Sequence, residues 1–220
     1  MNIYPSLISS DLLNIQQTLR SFEKECSAYH LDVMDDHFVP NITWGPAFIN
    51  AIRTATSLPL HVHLMVENPY MWIGRLKLAP GDTVIFHYEA VKDAEHQRLF
   101  IDAAHERSYQ AGIAISPNTP PEVLNETIAL VDMVLLMTVY PGFSGQTFIP
   151  DVLQKINPIA KMQQKYGKNA TLCLDGGINE DTIDLVRQHN IQHVAAATAI
   201  FGKPDPVTAL QQLKKLGSIK

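Results

Sequence analysis

Apolar residues along the chain fall into eight short runs, at residues 3–6, 31–34, 60–66, 83–87, 112–116, 133–139, 171–175 and 194–197. Each has the length of a strand rather than a helix. Between and after them lie longer stretches with apolar positions every three to four residues, at 11–24, 46–54, 69–78, 94–110, 121–131, 152–165, 181–189 and 206–215. That spacing is the helical period. Strands that alternate with helices run parallel, because a parallel neighbour is reached only through a crossover of a dozen or more residues. Eight such units predict an α/β fold, a single-domain (β/α)8 TIM barrel covering residues 1–220. No linker divides the chain. A doubly wound open sheet is the competing architecture, but no G-x-G-x-x-G follows the first strand to support it.

The second strand interrupts the apolar pattern. In "YHLDVMDDHFVPN", residues 29–41, positions two apart share a face, so His30, Asp32 and Met34 point one way and Leu31 and Val33 the other. A buried carboxylate costs several kcal/mol unless it is paired or bound to a metal. Asp35, Asp36 and His37 follow at the strand end, where the ordinary reading is turn polarity. In a barrel the active face is built at the carboxyl ends of the strands. Ser6 closes the first strand, His63 lies in the third, His87 in the fourth, and Asp175 ends the seventh. Two imidazoles and two carboxylates from separate strands form a donor set suited to a divalent ion.

Each of these residues also has a structural reading. His30 and His63 can be core histidines bonded to backbone, and Asp175 can cap the next helix. His61 shares the parity of His63 but lies deeper, which favours packing or support of the site, and His87 is either a substrate contact or a core residue. Met34, Met65 and Met137 fit core packing and an apolar wall above the ion equally well. Two glycine-containing segments, "YPGFSGQ" after the sixth strand and "DGGIN" after the seventh, are expected to cradle phosphate, since glycine lets backbone amides approach an anion. Tight turns would explain the same residues.

Composition narrows the partners. A net charge of −5 provides no global attraction to nucleic acid or an anionic membrane, and no stretch reaches the ~20 apolar residues of a membrane span. The N-terminal MNIYPSLISS lacks a basic segment followed by a long apolar run. Cys26 and Cys173 read as free thiols. The expectation is a cytoplasmic protein with no nucleic-acid or membrane partner.

In order along the chain, "PSLISSD", "HLDVMDDHFVPNITWGP", "HLMVENP", "FHYEA", "MTVYPGFSGQTFIP" and "DGGIN" resemble the motifs of the ribulose-phosphate 3-epimerase family. The resemblance implies a (β/α)8 fold, one divalent metal ion per subunit, a phosphorylated ketose substrate, epimerisation at its C3, and a homo-oligomer. Carried over by motif, it implies His30, Asp32, His63 and Asp175 as metal ligands and Asp32 and Asp175 as the acid/base pair. Phosphate contacts map to Gly142, Phe143, Ser144 and Gly145, to Gly176 and Gly177, and to Ala197 and Thr198. Three positions depart from the family pattern: Asp36 replaces a glycine, Tyr140 an asparagine or aspartate, and Ala197-Thr198 a glycine-serine pair.

Ribulose 5-phosphate is the expected substrate, with a hexulose phosphate such as allulose 6-phosphate as the alternative. Histidine and carboxylate ligands accommodate zinc, iron, cobalt or manganese. A phosphosugar lyase or decarboxylase would call for a lysine near the second or third strand end, and none is present. A barrel that binds sugar phosphate without turnover is the non-enzymatic alternative.

Overall fold

The computed structural model describes residues 1–167 and 169–218. The chain runs β1 (Asn2–Pro5), α1 (Ile15–Phe22), β2 (Tyr29–Met34), α2 (Pro46–Ala55), β3 (Leu60–Met65), α3 (Tyr70–Ile73), β4 (Thr83–His87), α4 (Ala94–His105), β5 (Gln110–Ile115), β6 (Met133–Met137), α5 (Ile156–Tyr166), β7 (Thr171–Asp175), α6 (Ile183–Gln188), β8 (His193–Ala196), α7 (Thr198–Phe201) and α8 (Pro206–Ser218). All eight strands pair parallel in one sheet, in the order β1-β8-β7-β6-β5-β4-β3-β2. The ring closes through a single bridge between Ser6 and His30. This is the expected (β/α)8 barrel.

Every residue of β2 and β3 is buried, as expected where helices cover one face and the bore covers the other. Leu31, Val33, Val62 and Leu64 join the large core between sheet and helices. Tyr4, Ala28, Ile85, Ala114, Met133, Leu135, Met137 and Cys173 fill the bore. The strand parity read from the sequence is the parity observed.

The expected 11–24 and 152–165 helices open as 3-10 turns, at Leu12–Asn14 and Pro150–Lys155, and two further expected helices depart more. The 121–131 segment forms a six-residue 3-10 helix, Pro121–Glu126. Its buried residues Pro121 and Leu124 lie three positions apart, the period of a 3-10 helix. The 69–78 segment is helical only over Tyr70–Ile73. Beyond it the Asn50 side chain donates to Arg75 O at 3.1 Å and accepts from Lys77 N at 2.7 Å, diverting that backbone from helical pairing.

Candidate active site

The in-register pairing of β2 with β3 sets Asp32 opposite His63 and His30 opposite His61, while Asp175 ends β7 beside Met137 of β6. These elements bring His30, Asp32, His63 and Asp175 together, with one donor atom from each inside 4.8 Å of all the others. His30 Nε2 lies 3.3 Å from Asp32 Oδ1 and 3.5 Å from Asp175 Oδ2. His63 Nδ1 lies 3.1 and 3.4 Å from the same two oxygens, and the two nitrogens are 3.3 Å apart. Four donors placed tetrahedrally at about 2.0–2.2 Å from one ion are separated by about 3.3–3.6 Å. The donor set and its spacing fit a divalent cation.

Electrostatics points the same way. Burial opposes protonation of His30, but Asp32 and Asp175 outweigh it and raise its pKa to about 10. Burial also opposes the charged form of His63, and hydrogen bonds to the same carboxylates raise its pKa nevertheless. Asp32 and Asp175 stay ionised despite burial because His30 lies against both. A potential that holds protons on two buried imidazoles favours a metal cation in their place.

Neighbouring groups fix the cluster. The Ser6 hydroxyl donates to Asp32 Oδ2, leaving Oδ1 to face the two imidazoles. Thr43 donates to Asp32 O at 2.8 Å and accepts from Met34 N at 3.0 Å. His61 lies one layer deeper, in edge contact with Tyr4 at 4.4 Å, and burial lowers its pKa to about 3. Asp35 accepts from the amides of His37, Phe38 and Glu67, which is the turn role its position suggested.

Above the cluster opens a cavity lined by Ser6, Asp32, Met34, Met65, Met137, Gly142, Phe143, Ser144, Gly145, Asp175, Gly176, Gly177, Ala197 and Thr198. No lysine lines it. Met34 and Met65 are both wall and core, packing with Val39 while facing the cavity. His87 does not reach the lining; it is fully buried behind His63. Gly176 and Gly177 have φ values of +114° and +65°, and a Cβ on Gly177 would stand 2.7 Å from the backbone of Phe148. Only glycine fits there. Ala197 has φ −112°, so its methyl group needs no left-handed backbone. Asp36 has φ +60°, a conformation that explains why glycine is usual at that position.

The loop at 140–148 closes one side of the cavity. Asn41 Nδ2 donates to Gly142 O at 2.7 Å, and Ser9 Oγ donates to Ser144 Oγ at 3.1 Å. Tyr140, noticed in the sequence only as a departure, lines the cavity and donates to Asn118 Oδ1 at 2.8 Å. Glu89 was missed altogether. Its signal lay in the H-x-E spacing of "FHYEA", which returns the carboxylate toward the same side as His87.

Fold and cluster together define a (β/α)8 barrel with a metal-competent site at the carboxyl ends of its strands. The chain belongs to the ribulose-phosphate 3-epimerase family, whose model matches residues 2–201. It is 38% identical over 216 residues to the ribulose-phosphate 3-epimerase of Bacillus subtilis, covering 97% of this chain and 98% of that protein. It is 39% identical over 204 residues to the Chlamydia muridarum ribulose-phosphate 3-epimerase, covering 91% and 88%. Among solved structures, 3-hexulose-6-phosphate synthase from Salmonella typhimurium superposes with a TM-score of 0.71 at 16% identity, over 99% of this chain and 98% of that one. That likeness is one of fold. No helix among the described residues is long and apolar enough to cross a membrane.

Proposed function

We propose that this protein is a metal-dependent ketose-phosphate 3-epimerase that interconverts ribulose 5-phosphate and xylulose 5-phosphate. The observation that carries the reading is the meeting of Asp32 and Asp175 at one pair of imidazoles, although their strands stand three places apart around the ring. The two carboxylates therefore enter the bore from opposite flanks. Inverting a carbon beside a ketone requires a proton to leave one face of C3 and another to arrive at the opposite face. Asp32 and Asp175 would serve those two faces, one as base and one as acid, exchanging roles with direction; a positioned acid or base supplies roughly 10²–10⁴-fold in rate. A divalent ion held by His30, Asp32, His63 and Asp175 would stabilise charge developing on the enediolate oxygens by several kcal/mol.

The remaining lining residues bind and orient. Glycine loops 142–145 and 176–177, with Ala197 and Thr198, would hold the phosphate, and remote binding there places C3 between the carboxylates. Met34, Met65 and Met137 would exclude water from the reacting face. The tetrahedral donor spacing supports zinc first, with iron, cobalt and manganese as alternatives. A homo-oligomer and a cytoplasmic location rest on the family resemblance and on composition.

A longer ketose phosphate such as allulose 6-phosphate is the second substrate reading, favoured by Tyr140 at the cavity wall and Ala197 at the phosphate end. Incubating metal-replete protein with each sugar phosphate in deuterium oxide, and following C3 by NMR, tests both. Deuterium entry with inversion is expected for ribulose 5-phosphate. Absence of exchange with either compound would overturn the epimerase reading in favour of a binding protein.

A further inference from the structure

His87 sits between two partners. Its ring meets that of His63 edge to edge, with centroids 4.9 Å apart and planes 24° apart, and the Nε2 atoms of the two rings are 2.8 Å apart. Its other nitrogen, Nδ1, lies 3.0 Å from Glu89 Oε2. Facing imidazole nitrogens at this distance share one hydrogen, so one ring donates and the other accepts.

The direction is set at the far end. Burial opposes the charge on Glu89, but the hydrogen bond with His87 outweighs it and holds the carboxyl pKa at about 2. An ionised carboxylate only accepts. Its Oε1 is taken by the Ser116 amide at 2.8 Å and by the Thr119 hydroxyl. Lys155 steadies that segment, donating to the carbonyls of Ser116, Pro117 and Thr119 at 3.0, 2.6 and 2.7 Å. With Glu89 accepting at Oε2, His87 carries a hydrogen on Nδ1, the tautomer of a neutral imidazole whose Nε2 offers a lone pair. His63 must donate to that lone pair from its own Nε2. Its Nδ1, the atom facing Asp32 and Asp175, is then the nitrogen left to offer a lone pair to a cation.

We propose that Glu89 and His87 form a positioning relay that fixes the tautomer of His63 and so prepares its Nδ1 to ligate a divalent ion. The inference rests on the reading of His63 as a metal ligand. Neither relay residue lines the cavity, and His63 is the ligand they reach through hydrogen bonds. Partners that orient a metal-bound imidazole govern roughly 10–100-fold in metal affinity.

The relay makes an unusual prediction for Glu89→Gln. Because Ser116 and Thr119 hold the oxygen, the amide NH2 of glutamine turns toward His87 Nδ1 and donates. His87 then accepts at Nδ1 and donates from Nε2, which puts the hydrogen of His63 on Nδ1, where the ion should bind. Glu89→Ala imposes no direction. Zinc affinity, measured by competition with a chromophoric chelator, is expected to fall roughly 10–100-fold in Glu89→Gln and by less in Glu89→Ala. A role in packing alone gives the opposite order, since glutamine keeps the shape of glutamate. Glu89→Gln binding within twofold of wild type, or Glu89→Ala as weak as Glu89→Gln, would overturn the relay. Nitrogen-15 NMR of wild-type zinc-loaded protein gives an independent reading: a hydrogen on His87 Nδ1 is expected, and one on Nε2 overturns the proposal. Wild-type protein that binds no zinc, iron, cobalt or manganese would instead refute the metal site itself.

Discussion

Ser6→Ala separates support of the metal cluster from contact with substrate. Ser6 is 2% exposed, its amide donates to Ala196 O at 2.9 Å, and its hydroxyl donates to Asp32 Oδ2. Asp32 thus uses its two oxygens separately, Oδ2 for Ser6 and Oδ1 for the imidazoles at 3.1 and 3.3 Å. Alanine preserves the backbone and deletes only the hydroxyl. A hydrogen bond to a charged group is worth about 1.5–3 kcal/mol. Losing it frees the carboxylate to turn Oδ1 away from the imidazoles, at the expense of an ion. Bound metal contributes its own attraction, so the expected loss is toward the lower end, roughly 10–30-fold in affinity. Chelator competition reads that value directly, and kinetics at saturating metal then isolates substrate effects. If Ser6 acts through substrate alone, KM rises while ion affinity stays at the wild-type value; that result would refute the reasoning.

Two further substitutions test the scaffold. Asp82 is 1% exposed and accepts from Arg53 Nη1 at 2.7 Å, Leu60 N at 2.9 Å and Ala79 N at 2.8 Å, so Asp82→Ala strands a mostly buried guanidinium. It should cost about 3–5 kcal/mol in urea unfolding without changing ion affinity per folded molecule, and a loss under about 1 kcal/mol would contradict the accounting. Asp36→Gly should raise stability by up to about 1 kcal/mol by relieving a left-handed backbone; a lower unfolding midpoint with unchanged slope would show that the aspartate is favourable there.

The parts of the site legible in the sequence share one property: they are polar side chains set into apolar runs. His30, Asp32, His63 and Asp175 stood out because strand parity places each on the bore side, and an unpaired charge there is expensive. Parity cannot say which nitrogen of an imidazole is used or which residue stands behind it. His87 therefore looked like a possible substrate contact, whereas its position behind His63 depends on how adjacent strands pair. Glu89 escaped notice because a carboxylate just past a strand looks like any loop residue. Elsewhere, local periodicity misled where the Asn50 side chain takes over the backbone beyond α3 and where 121–126 winds as a 3-10 helix. Asp36 was visible as a departure, but its positive φ was not.

The position of the cluster in the ring couples ion binding to stability. Every neighbouring strand pair is laddered except β1 with β2, which meet only at the Ser6–His30 bridge. Three of the cluster's residues lie on one side of this seam, on β2 and β3, and Asp175 lies on the other, on β7. An ion held by all four ties the two sides together. At one hundred times its dissociation constant it stabilises the folded state by about 2.7 kcal/mol, which raises Tm by roughly 5–10 °C in a chain of this size. The pH dependence follows from His30, whose folded pKa of about 10 lies above the unfolded value of about 6.5. Its contribution to the ion-free protein is complete below about pH 6.5 and is lost as pH rises toward 10. An ion must displace that proton, so its binding strengthens over the same interval. The difference in Tm between metal-loaded and chelator-treated protein should therefore widen from about pH 6.5 to 9. A difference that stays constant or narrows would show that these imidazoles do not exchange protons for the ion.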